Sequence, residues 1–328
     1  MPHGPAMLNL GTTGLVVSRL GLGLAALGRP AYITAGRAAD VGSDRSVEAM
    51  ERRCHAVLDA AYDAGIRYLD TARSYGYGER FLASWLRRRR LAPGAVVVGS
   101  KWGYRYVGEW RLDAPIHEVK DLSAANLERQ LGETRSLLGE YVRLFQIHSA
   151  TLESGVLDDA AVVNRLAQLR ADSWVIGLTV TGPHQSDVIR RALTVRVDGR
   201  ELFRVVQATW NLMETSAETA LAEAAASGCG VIVKEALANG RLTNRYAGDE
   251  TAVVRQEAAR RHCDVAVLAL GAALAQPWAH VVLSGAVTVE QLHSNLSALQ
   301  AHERVRDLPA LAVPPQEYWT RRAALPWL

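Results

Sequence analysis

Eight short apolar runs alternating with amphipathic helical stretches set the strongest constraint on how this chain can fold. The runs read as strands at Leu20–Leu24, Ile66–Asp70, Val96–Lys101, Val142–His148, Val175–Thr179, Phe203–Gln207, Val231–Lys234 and Val281–Ser284. Helical patterns cover 48–64, 79–90, 123–138, 159–170, 184–193 and 216–227, with helical material over 250–276 and a last helix at 289–304. Strand and helix in regular alternation, joined by short links, call for a parallel sheet covered by helices. An open doubly wound sheet normally carries G-x-G-x-x-G directly after a strand, and GLGLAALG at 21–28 lacks the third glycine in place. The sequence therefore predicts an α/β fold of the (β/α)8 TIM barrel type. Its 328 residues suit a single barrel domain over 1–328.

Two stretches break the rhythm. Residues 28–46 and 102–122 exceed the usual βα link of about 2–6 residues and are expected to decorate the rim. The second carries Trp102, Tyr104, Tyr106 and Trp110, which suit either a substrate wall or packing of the loop on the barrel. The tail PPQEYWTRRAALPWL at 314–328 has no period, and its path is open between the rim and the barrel wall.

Composition narrows the function classes. A net charge of +3, with the basic run Arg87–Arg90 closing a helix where cations complement its dipole, argues against nucleic-acid binding. Runs of about 18 uncharged apolar residues are missing, as is a basic-then-apolar N-terminus, so a soluble cytoplasmic protein is expected, off the membrane. Cys54, Cys229 and Cys263 are odd in number and widely spaced, and read as free buried thiols. The histidines are dispersed without metal-ligand spacing, and no metal is expected.

Four polar residues stand at or just beyond the C-terminal ends of predicted strands: Asp70 and Tyr75 in YLDTARSYG, Lys101 in VVVGSKWG, and His148 in RLFQIHSA. That rim is where barrel enzymes place their chemistry. Together the four suit proton handling. Tyr75 can donate a proton, Lys101 can lower its pKa, Asp70 can hold the ammonium, and His148 can orient a substrate oxygen.

With LNLGTTGLVVSRLGLGLAALG, YLDTARSYGYGE, VVQATWNL and LSGAVTVEQLHSNLSAL in order, the chain resembles the aldo-keto reductase family over about residues 8–300. The resemblance implies a barrel that uses NADP or NAD to reduce a small-molecule carbonyl compound or oxidise the alcohol. It maps Asp70, Tyr75, Lys101 and His148 onto the family's tetrad, with Tyr75 as general acid. It also implies cofactor contacts from Thr179, Gln207, Lys234, Leu237, Ser284, Gly285, Thr288, Gln291 and Asn295. No oligomeric state follows from it.

Departures from the family pattern fall on the cofactor side. Val180 follows Thr179 where a second hydrogen-bonding side chain is usual. KEAL at 234–237 puts Lys234 where an aromatic normally stacks beneath the nicotinamide. Lys234 then either pairs with Glu235, or marks an altered cofactor geometry, or serves as the amine of a Schiff-base lyase on the same barrel. Val287 and Gln291 occupy positions where a cation usually meets the NADP phosphate, so NADP is the family default and NAD or dual use an alternative. A nonenzymatic barrel partner protein is a further alternative.

Overall fold

Parallel pairing between successive apolar runs closes a barrel. In the computed structural model, which describes residues 5–301, 305, 308 and 311–327, the strands are β1 Leu20–Gly23, β2 Tyr68–Asp70, β3 Val97–Trp102, β4 Val142–Ala150, β5 Val175–Val180, β6 Val205–Thr209, β7 Gly230–Lys234 and β8 Val281–Ser284. Each lies beside the next in chain order, and β8 returns to β1. The register brings Asp70 opposite Gly99, two residues before Lys101 on the neighbouring strand. The short helix-bearing connections turn every strand's C-terminal end to the same face.

The outer wall is formed by α1 Val47–Asp63, α2 Gly78–Arg88, α3 Ala124–Leu138, α4 Ala160–Ala171, α5 Gln185–Leu193, α6 Glu218–Ala226, α7 Val265–Leu274 and α8 Val289–Leu296. Local chemistry starts several of them. Ser46, Ser123, Asp159 and Thr288 accept hydrogen bonds from backbone N–H groups of the first turn. The expected helical material over 250–276 is two helices, with Ala252–Arg260 preceding α7. A short helix at Ala298–Ala301 follows α8, and residues 302–304 of the expected last helix lie outside the described residues.

A feature the period analysis missed is an N-terminal hairpin pairing Met7–Asn9 with Val16–Ser18. Its Leu10, Leu15 and Val17 pack with Tyr68, Val205, Ile232 and Val281 and close the N-terminal end of the barrel. Gly230 permits this contact, since a Cβ there would lie 2.5 Å from Leu10 Cγ.

The irregular segments meet over the opposite face. Within 28–46, a short helix at Arg37–Val41 is anchored by the buried Arg37 guanidinium, which donates to the carbonyls of Ala26 at 2.9 Å and Pro30 at 2.8 Å. Within 102–122, Tyr104–Tyr106 pairs with Glu118–Lys120 as a hairpin. The tail resolves onto the rim: its helix Pro315–Ala323 brings Tyr318 Oη to accept from Asn211 Nδ2 at 3.0 Å.

Candidate active site

The four rim residues converge. Asp70 ends β2, and Tyr75 sits in the turn that follows, its N–H donating to Ala72 O at 3.1 Å. Lys101, fully buried in β3, forms an ion pair with Asp70 Oδ1 and donates to Thr71 O at 2.9 Å and Tyr75 Oη at 3.4 Å. Asp70 Oδ2 accepts from Tyr68 Oη at 3.1 Å and Gln207 Nε2 at 2.9 Å, so the buried carboxylate is satisfied on both oxygens. The His148 ring stands edge-on to Tyr75, with centroids 5.5 Å apart, and its Nδ1 lies 3.4 Å from Ser74 Oγ.

Protonation in this cluster differs from the sequence expectation in one respect. Burial, Asp70 and Tyr32 push the Tyr75 hydroxyl well above its ordinary range, and Arg29 opposes them. The Lys101 ammonium is shared, bonded to Asp70 and donating to Tyr75 Oη at 3.4 Å. Burial pulls Lys101 itself below the ordinary lysine value against the attraction of Asp70. Burial and then the charges of Lys101, Lys234, Arg29 and Lys120 hold His148 well below the usual histidine value, so its imidazole is neutral near pH 7. When Nδ1 accepts from Ser74, Nε2–H is the nitrogen left to donate.

A cavity of about 620 Å³ opens from Tyr75 and His148 across the rim. Gln207, Lys234 and Leu237 line it, as do Ser284, Gly285, Gln291 and Asn295. Two expected contacts lie elsewhere. Thr179 is buried, with its Oγ1 accepting the Ser149 N–H at 2.8 Å, and the cavity at that strand end is lined by Ser149 and Thr181. Thr288 caps α8 through the Gln291 N–H and does not line the cavity.

Lys234 also differs from the expected ion pair. Glu235 is held by Arg322 of the tail helix, whose Nε lies 3.1 Å and 2.9 Å from its two oxygens. Lys234 Nζ instead donates to Thr209 Oγ1 at 2.9 Å and stands 5.8 Å from the centre of the Trp319 ring. Burial, partly opposed by Glu235, lowers Lys234 to about 8.

Of the four aromatics in 102–122, only Tyr104 lines the cavity. Trp102 is buried in the hydrophobic core with Leu127 and Leu131, and Trp110 stacks on Tyr77 with centroids 4.8 Å apart. Tyr32 and Trp327 complete the aromatic wall. Between them the Arg29 guanidinium lies 4.7 Å from the centre of each ring and pairs with Glu118 at 2.7 Å. Sequence reasoning missed Arg29, Asp40, Ser149, Arg322 and Trp327. The first two fall in a segment already marked by its length, whereas nothing periodic distinguished the tail.

The family's dinucleotide can be tested against this lining. Gly285 presents bare backbone, since a Cβ there would meet no atom within 4 Å. Just beyond it α8 begins, with its first-turn N–H groups directed as an anion prefers. A cavity of this size, lined by hydrogen-bonding side chains, the open backbone of Gly285 and further polar groups, fits a dinucleotide.

The model for the aldo/keto reductase family matches residues 19–307. The chain belongs to the aldo/keto reductase family. It is 23% identical to the NADH-specific methylglyoxal reductase of Escherichia coli, over 88% of this chain and 92% of that one. The fold matches that of an aldo-keto reductase from Bacillus halodurans in its holo form, with a TM-score of 0.72, 22% identity and coverage of 96% and 99% of the two chains. A putative aldo-keto reductase from Pseudomonas aeruginosa matches with a TM-score of 0.65 and 24% identity, over 91% of this chain and 97% of the other. This aldo/keto reductase is thus an NAD(P)H-dependent oxidoreductase. Among its described residues no helix is long and apolar enough to cross a membrane.

Proposed function

We propose that this enzyme reduces a small aldehyde or ketone to the alcohol, with Tyr75 as proton donor and NADH as the preferred reductant. The observation that carries the reading is the Tyr75 hydroxyl held by the Lys101–Asp70 pair beside a neutral His148, at the end of a cavity sized for a dinucleotide. The dinucleotide, when bound, supplies a hydride to the carbonyl carbon. The chain's own residues handle the charge that grows on oxygen. His148 holds the carbonyl oxygen by hydrogen bonding, and Tyr75 Oη gives it a proton. A tyrosine held above its ordinary pKa arrives protonated at neutral pH, which suits the reductive direction.

The far end of the cavity supports NADH. Gln291, where the family places a cation, donates Nε2 to Asp40 at 2.7 Å, and Asp40 also pairs with Arg245. Asp264 and Glu290 line the same cavity. Three carboxylates against Arg245 and Arg37, the latter turned to the carbonyls of Ala26 and Pro30, make a poor setting for an added phosphate. The relative's NADH-specific activity agrees with this reading.

Steady-state reduction of methylglyoxal and simple aryl aldehydes with NADH and NADPH tests the proposal. Absence of turnover with every carbonyl and both reductants would reject it. The Schiff-base reading retains one favourable feature, the placement of Lys234 at the end of β7 on the cavity wall, where burial pulls its amine down to about 8. Borohydride treatment with substrate separates the two, since a reductase leaves Lys234 without a mass adduct.

A further inference from the structure

Four cationic side chains stand around the reacting end of the cavity, and three face carboxylates directly. Lys101 pairs with Asp70, Arg29 with Glu118, and Arg322 with Glu235. Lys234 has no carboxylate within ion-pair distance among the described residues. Its Nζ donates to the neutral Thr209 hydroxyl, and that hydroxyl in turn lies 3.3 Å from Glu235 Oε2, a carboxylate already held by Arg322. A fifth cation, Lys120, acts on His148 but does not line the cavity. The chamber beside Tyr75 therefore carries one cation in excess, at Lys234.

The position of that charge matters because of what the reaction does to a nicotinamide. Hydride transfer requires the donor carbon within about 3–3.5 Å of a carbonyl carbon whose oxygen is bonded to Tyr75. The ring must then share the chamber that Lys234 lines. A reduced nicotinamide is neutral and an oxidised one carries a positive charge. The C–H bond of the ring breaks with its electron pair going to the carbonyl carbon. The carbonyl π pair takes the Tyr75 proton, and the ring is left cationic.

We propose that Lys234 makes this site discriminate between the redox forms of its cofactor, admitting the dinucleotide whose reduced nicotinamide ring is neutral and disfavouring the one whose oxidised ring is cationic. The inference rests on the dinucleotide-binding reading above and assigns Lys234 a role in cofactor selection. Like charges inside a partly desolvated chamber repel far more than they do in water. A neutral aromatic floor would act in the opposite sense, since its π face attracts the cationic ring. The aliphatic stem of Lys234 covers apolar surface under either form, so the selectivity resides in the ammonium.

Equilibrium titrations of the intact enzyme with NADH and NAD+, followed by protein fluorescence and by calorimetry, test this without turnover. The expected result is a dissociation constant for NADH at least ~10-fold below that for NAD+, equivalent to ~1.4 kcal/mol. Lys234→Met should reduce that ratio at least ~5-fold, chiefly by tightening NAD+, and Lys234→Arg should preserve it. Lys234→Gln replaces the methionine variant if the latter does not fold. Equal affinities in the parent, or an unchanged ratio in the neutral variants, would overturn the inference while leaving the reductase reading intact. Failure of the parent to bind any of NADH, NAD+, NADPH or NADP+ at millimolar concentration would remove both.

Discussion

Arg322 and Glu235 lie 87 residues apart in the chain and meet at the mouth of the barrel, with the guanidinium Nε bonded to both carboxylate oxygens. The contact fastens the tail helix to the residue that follows Lys234. Glu235 has a φ of 55°, as Ser149 after His148 has one of 57°. At both strand ends the backbone turns sharply just past a side chain directed at the reaction chamber, a form of strain that recurs at functional sites.

The tail's attachment should depend on pH. Burial alone would raise Glu235, but the Arg322 and Lys234 charges and the Arg322 hydrogen bonds outweigh it and hold the carboxyl at about 2, below its ordinary 4.5. A depressed carboxyl contributes stability above its unfolded value that is lost as pH falls through the folded one. Protection of the tail from limited proteolysis should therefore decline between about pH 4.5 and 2. In Arg322→Ala the ion pair is already absent, so protection should be lower at neutral pH and this decline between about pH 4.5 and 2 should largely disappear. An unchanged midpoint would dissociate the tail from this ion pair.

Tyr75→Phe should fold and bind NADH as the parent does while losing at least ~100-fold in kcat for carbonyl reduction, the lower range for a positioned proton donor. Wild-type turnover in this variant would remove Tyr75 from the mechanism. In the reverse direction the raised Tyr75 pKa has its own signature. Alcohol oxidation needs the phenolate as base, so its rate should still be climbing at pH 10 rather than levelling off near neutrality.

Lys101→Met leaves Asp70 as a buried carboxylate without its ion-pair partner. Breaking such a pair costs about 3–5 kcal/mol. Chemical denaturation should register that loss, and Lys101→Met combined with Asp70→Asn should recover much of it. Reduction should remain impaired in the double variant, because Tyr75 has lost the hydrogen bond from Lys101 Nζ. Recovery of both stability and full activity would show that the pair only supports the fold.

Asp40→Asn should narrow the preference for NADH over NADPH, which in the parent is expected to be ~10-fold or greater in dissociation constant, or ~1.4 kcal/mol. Removing this carboxylate leaves Arg245 free to meet a ribose phosphate, so NADPH should tighten while NADH changes little. Fluorescence titration of the four enzyme–cofactor combinations decides it. An NADPH preference in the parent would show that Arg245 already serves the phosphate despite Asp40.

The barrel was legible in the sequence because each apolar run and each helical stripe reports its own burial. Alternation along a chain constrains a parallel fold without knowledge of distant contacts. Asp70, Tyr75, Lys101 and His148 were legible for the same reason, since a polar residue ending an apolar strand is placed at the rim by the strand itself. Thr179 and Thr288 show the limit of that logic. Each sits next to a cavity-lining position, and tertiary hydrogen bonding assigned Thr179 to the Ser149 N–H and Thr288 to the cap of α8.

What only the tertiary structure decided is how distant charges answer one another. Whether Lys234 pairs with Glu235 depends on where Arg322 lies, and the protonation of Tyr75 depends on how deeply the closed barrel buries it and on the nearby Asp70 charge. Periodicity carries no record of such choices, because they are made between side chains brought together by closing a barrel and folding a tail across it. The sequence by itself determined the scaffold and the placing of Asp70, Tyr75, Lys101 and His148 at its rim. The closed fold determined the electrostatic surroundings in which they act, since Coulomb interactions depend on distance and burial rather than on order along the chain.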